Sequence, residues 1–208
     1  MGGGLAETMC GAAVVILAIL ALTNFWPLTL AAFALILFGV AMLCDGSALV
    51  ATITRIFDIR TAGHHHVDAV GWGGGMAAEV VGACCGIVLG VLALFSVNPL
   101  TLCAVAVLVF GGVLLASGAA RNQMESLVEE EFATGERVLI REAGHGAALL
   151  EMLAGGAVVI LGVLAIVWSH SSAAISLDLT LVALLCLGAA SVVSGLAFSG
   201  RSIRMISH

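Results

Sequence analysis

Three stretches decide the fold: "ETMCGAAVVILAILAL" at residues 7–22, "EVVGACCGIVLGVLAL" at 79–94 and "EMLAGGAVVILGVLAI" at 151–166. Each opens on a glutamate and then runs apolar, and the starts at Glu7, Glu79 and Glu151 stand at equal intervals of 72 residues. The match continues into a second apolar run: "PLTL" at 27–30 recurs at 99–102, and Phe38-Gly39 recurs as Phe110-Gly111, at the same interval. In the third copy this second run fits after five inserted residues, which bring Gly188 level with Gly111 and the "SG" of 194–195 level with that of 117–118. Ser176 then stands where the other copies have Pro27 and Pro99, and the insertion predicts a longer turn before it. A repeat at fixed spacing sets the architecture before any single residue is read.

The chain is 62% hydrophobic and 10% charged, with no lysine and no tyrosine, well outside the range of soluble domains. A helix needs about 20 apolar residues to cross a hydrocarbon core of about 30 Å. Such runs lie near 8–26, 28–50, 78–97, 100–119, 150–169 and 179–199. The expected fold is therefore an all-α membrane protein of six transmembrane helices, built from three tandem two-helix repeats at 1–60, 61–132 and 145–208. An acidic cytoplasmic segment, 121–145, joins the second repeat to the third. Each repeat contains two spans, so all three insert with one orientation, and an axis along the membrane normal should relate them as a pseudo-threefold bundle. The start "MGGGLAETMCG" has no basic n-region, so the first run is expected to be a retained span and not a cleaved signal.

All seven arginines fall in the connections after the second and fourth runs or in the tail: Arg55, Arg60, Arg121, Arg137, Arg141, Arg201 and Arg204. The positive-inside rule puts both termini and both long connections in the cytoplasm. Phe25, Trp26, Phe95 and Trp168 lie at the other end of the runs, where amphipathic rings anchor a helix at the bilayer interface. The net charge of −6 comes mostly from "ESLVEEEFATGERVLIREAGH", which anionic phosphates repel; nucleic acid is excluded as a partner, and the lipid bilayer is the expected environment.

The glycine-spotted first helix, the Pro-led second helix after a tight turn, and the glycine pairs near the end of the second helix together resemble the HdeD family of acid-resistance membrane proteins, which is built from a short repeated membrane domain of unknown function. The resemblance covers nearly all of residues 5–199. It implies a multi-pass protein of the bacterial inner membrane, linked to acid or envelope stress, with no established chemical mechanism. The missing proline of the third copy, the histidine trio at 64–66 and the acidic segment depart from that pattern.

Counting four, seven, eleven and fourteen residues on from each glutamate stays on one helical face. Those positions read Gly11, Val14, Ala18, Ala21; Ala83, Gly86, Gly90, Ala93; and Gly155, Val158, Gly162, Ala165. Lipid does not drive helices together, so small residues mark the faces where backbones pack closely. Gly11, Gly82, Gly86, Gly90, Gly155 and Gly162 are the packing candidates. Glu7, Glu79 and Glu151 are a candidate proton or ion ring on those faces, since desolvation and mutual repulsion both raise carboxyl pKa values. The plainer account is an anion in the first turn of each helix, favoured by the macrodipole by about 0.3–1 kcal/mol.

His64, His65 and His66, with Asp58 or Asp68, form a weak metal candidate, because consecutive histidines on a loop rarely converge on one ion as a spaced scaffold does. Cys10, Cys44, Cys84, Cys85, Cys103 and Cys186 lie in or beside apolar runs, with no CxxC spacing, and are read as small packing residues. GxSxG, HExxH and P-loop patterns are missing from the sequence, so no enzyme and no cofactor is expected. Met124, Leu127, Val128 and Phe132 can share one face of a short amphipathic helix, or simply extend the fourth span. Segment 121–145 and the glycine faces are the candidate surfaces for a partner membrane protein or a homo-oligomer. The leading expectation is a stress-related or structural membrane protein. An accessory subunit of a larger complex and a proton- or ion-conducting transporter that uses the glutamates are the alternatives.

Overall fold

The computed structural model describes residues 3–60, 69–95, 98–128 and 138–204, with side chains over 8–44, 78–95, 98–119, 146 and 149–196. Within these residues the chain forms six helices and no strand: α1 (Gly3–Leu22), α2 (Pro27–Arg60), α3 (Ala69–Leu94), α4 (Pro99–Val128), α5 (Val138–Trp168) and α6 (Ala173–Arg204). Four contain segments long and apolar enough to cross a membrane, Pro27–Cys44, Pro99–Ala119, Leu149–Trp168 and Ala173–Leu196. Thr8–Leu22 and Ala78–Leu94 are shorter apolar helices within the described residues. Ile16, Phe33, Val88, Leu153, Ile160 and Val167 all point outward, so the outer surface is apolar around the bundle. An apolar surface of that extent belongs in lipid contact.

The helix starts follow local chemistry. Pro27 and Pro99 open α2 and α4, where the missing N–H costs nothing and φ is already helical. The residues before them, Trp26 and Asn98, sit in left-handed backbone at φ 45° and 47°. Each accepts the first helical bond, Leu30 N–H to Trp26 O at 3.1 Å and Leu102 N–H to Asn98 O at 3.2 Å. Asn24, at φ 65°, ends α1 in the same left-handed region that commonly closes helices.

The longer turn expected in the third copy is not what forms. The connections at 23–26, 95–98 and 169–172 all have four residues, and the inserted ones lengthen α5 by two and start α6 three earlier than its equivalents. Without a proline to fix the start, the helix-favouring "AAI" at 173–175 joins α6, and Ser172 O accepts the first bond, from Ser176 N–H at 3.2 Å. The span drawn from 179 therefore begins at Ala173. On the opposite side, residues 121–128 continue α4 without a break, so Met124, Leu127 and Val128 extend that helix. Residues 129–137, with Phe132, lie outside the described residues.

The helices pack in a closed order, each against its chain neighbours, with α1 also against α6. The even helices α2, α4 and α6 touch one another as well, whereas among the described residues no two odd helices meet. The even helices thus occupy the centre, and each odd helix fills the groove between two of them.

Candidate functional site

The centre is filled with side chains. Ala31, Leu35 and Phe38 on α2, Cys103, Val107 and Phe110 on α4, and Thr180, Leu184 and Leu187 on α6 occupy equivalent repeat positions, and all nine are buried. Phe38 and Phe110 meet edge to face with ring centroids 4.9 Å apart, a geometry worth about 0.5–1.5 kcal/mol beyond area burial. This is a packed core.

The faces expected to be buried on the odd helices are buried throughout, from Gly11, Val14, Ala18 and Ala21 on α1 to their equivalents on α3 and α5. At one level of each face the neighbouring helix brings its backbone close. A Cβ built on Gly11 would stand 3.0 Å from the carbonyl oxygen of Gly188, and one on Gly188 would stand 3.0 Å from that of Gly11. Gly155 faces the carbonyl of Gly111 at 2.9 Å, and a Cβ on Gly39 would reach the carbonyl of Ala83 at 3.1 Å. Positions 11, 83 and 155 are equivalent, as are 39, 111 and 188, so one seam recurs three times. A second tier follows the same rule: Gly90 lies against Ile36 and Ala32, and Gly162 against Leu108, the equivalent of Ile36.

The row Gly82, Gly86, Gly90 does not serve a single neighbour. Gly82 and Gly86 make room for Val113 and Phe110 of α4, whereas Gly90 faces α2. The ring of Phe110 occupies the space that a side chain at position 86 would need, although Val14 and Val158 are accommodated at the equivalent positions. By contrast Gly112, beside the seam glycine Gly111, has nothing within 4 Å of its Cβ direction and points outward.

Positions 7, 79 and 151 lie on α1, α3 and α5, the helices that the even ones keep apart. Glu151 is buried, 5% exposed, and Glu79 is half-buried; the side chain of Glu7 lies outside the described residues. His64, His65 and His66 lie outside them too. Among the described residues no three of His, Cys, Asp and Glu gather as a metal set. Cys103 is buried in the central core, Cys10 and Cys186 are half-buried, and Cys44, Cys84 and Cys85 face outward.

Buried hydroxyls are the polar feature that sequence reading missed. Ser117 Oγ donates to Leu114 O at 3.2 Å and Thr180 Oγ1 to Ser176 O at 2.8 Å, both within their own helices, as apolar surroundings require. Ser176 reaches across: its Oγ donates to Ala165 O of α5 at 2.7 Å. That carbonyl lies in the last turn of α5, where Ser169 N–H also bonds Ile166 O at 3.2 Å. The signal for Ser176 was its place in the repeat, where two prolines become a donor.

No family model, curated protein or solved structure matches the chain.

Proposed function

We propose that this chain is a non-enzymatic, HdeD-like protein of the bacterial cytoplasmic membrane, a structural component of the response to acid or envelope stress. All six helices span the bilayer, both termini face the cytoplasm, and the three repeats close into a pseudo-threefold ring. The observation that carries the reading is the filled centre, nine buried positions on α2, α4 and α6 with two aromatic rings in edge contact, which supports a scaffold over a conduit. The recurring seam supports the ring, and the one-sided arginines support the orientation.

A second reading, proton-linked transport, draws on Glu151, because a buried carboxyl at membrane depth is a functional candidate. Its path would follow the groove of α5 between α4 and α6.

One experiment separates them. Protein reconstituted into vesicles with an internal pH dye should relax an imposed pH step no faster than protein-free vesicles. A flux that Glu151→Gln abolishes would overturn the structural reading. In cells, loss of the gene should lower survival of acid shock. The triple change Glu7→Gln, Glu79→Gln, Glu151→Gln should restore survival as wild type does, because a structural role needs the shape and not the titration.

A further inference from the structure

We propose that the α1–α2 turn is a lipid-docking element: the stacked pair Phe25–Trp26 seats at the boundary between headgroups and acyl chains, in the leaflet away from the arginines. The inference rests on the reading that α1 and α2 span the bilayer, and it names the element that fixes how the first unit sits there.

Trp26 is held in strained backbone that the bundle does not offset. Its φ of 45° puts a bulky side chain in the left-handed region, and the proline that follows it favours extended backbone there. Asn98, the equivalent residue at φ 47°, also precedes a proline, but asparagine tolerates left-handed backbone. Yet the indole that this strain positions is 73% exposed. Its stacking partner Phe25, near parallel at 11° with centroids 6.1 Å apart, is exposed as well. Most of both rings therefore faces whatever surrounds the turn. Aromatic side chains gain stability when an area of about 150–250 Å² each leaves water, so the compensating contact lies outside the chain.

The neighbouring surface says what makes that contact. Ile16, Ile19, Leu20 and Leu22 carry the outward apolar face of α1 up to the turn, so the stack continues a surface that already belongs against lipid. It stands at the end of that surface beside Thr23 and Asn24, the depth at which a ring with one apolar and one wet end is favoured. The turn has no charged group that would select a charged partner. Phe95 and Trp168 are exposed at the equivalent ends of α3 and α5 without left-handed backbone, so the strained anchor belongs to the first unit.

The test uses the whole chain in vesicles of phosphatidylglycerol and phosphatidylethanolamine, with Trp72→Phe and Trp168→Phe leaving Trp26 as the one tryptophan. Its emission should be blue-shifted against the unfolded protein, shielded from acrylamide, and quenched most by lipids brominated near the carbonyl end of the acyl chain. Emission open to acrylamide and untouched by brominated lipid would overturn the proposal. In a Trp26→Phe background, Phe33→Trp, on the outward face of α2 and about 10 Å further along the helix, should be quenched most by lipids brominated deep in the chain. If that probe is no deeper than Trp26, the spanning reading falls and the proposal with it. If it is deeper while Trp26 stays in water, only the proposal falls. Replacing residue 26 by Asn in place of Phe should then shift the Phe33→Trp profile toward the headgroups, because the unit has lost its anchor. The Asn variant also eases the backbone, so its stability and its depth are separate readouts. A profile that does not move outward would overturn the proposal.

Discussion

Gly111 and Gly112 are neighbours in the chain and should respond oppositely to the same substitution. A methyl group at Gly111 would lie 2.8 Å from Val158 Cγ1, 3.0 Å from Val159 Cγ2 and 3.0 Å from Val159 N. Carbon atoms prefer about 3.5–4.0 Å, so α4 and α5 would have to separate by about 0.5–1 Å. A gap of that size forfeits about a quarter to a half of each contact well, and a seam of some ~40 atom pairs at ~0.15 kcal/mol each would lose about 1.5–3 kcal/mol. Against this, replacing glycine by alanine within a helix gains up to about 1 kcal/mol of propensity. Gly111→Ala should therefore destabilise by about 0.5–2 kcal/mol, and Gly111→Leu by more. Gly112→Ala meets nothing within 4 Å and keeps only the propensity gain, so it should be neutral or stabilising by up to about 1 kcal/mol. Unfolding in mixed micelles, with helicity followed against denaturing detergent, gives both values. Equal shifts at the two positions, or a stabilised Gly111→Ala, would refute backbone contact at this seam.

Phe110→Ala should cost about 3–5 kcal/mol through the cavity it leaves at the centre, and Gly86→Ala should be severely destabilising alone but partly rescued by Phe110→Leu, measured as a double-mutant cycle. Ser176→Ala should cost about 0.5–1.5 kcal/mol by removing the hydroxyl bond to the Ala165 carbonyl, and Ser176→Pro should be worse despite matching the other repeats, because here residue 176 also donates its N–H to Ser172; thermal midpoints in detergent rank the two. Trp26→Asn should stabilise the α1–α2 turn by about 1 kcal/mol, since asparagine tolerates the left-handed backbone that tryptophan occupies at φ 45°, and the same unfolding assay should show Asn98→Trp to be destabilising.

Periodicity carried the faces and topology could not follow from it. Three helices with small residues at the same register, Gly11, Ala83 and Gly155 among them, must each bury that face, and the structure does bury it. What the pattern left open was the surface they are buried against. A shared small face is equally compatible with three odd helices meeting on an axis and with each lying in a groove between two others. The residues that decide between these are on the even helices: Leu35, Val107 and Leu184, with Phe38, Phe110 and Leu187, are all buried and fill the centre. They read as ordinary apolar positions in sequence because an entirely apolar helix gives no periodic signal to tell a core-facing leucine from a lipid-facing one. The position of the glutamates was legible for the same reason that their surroundings were not. Their depth follows from where each apolar run begins, but the surroundings of Glu79 and Glu151, on helices that do not meet among the described residues, depend on α2, α4 and α6 filling the centre. The functional consequence turns on that point. Three carboxylates on one axis would act as one site, whereas residues on α3 and α5, which do not meet among the described residues, would act separately, so any response carried by Glu151 should survive the loss of Glu79.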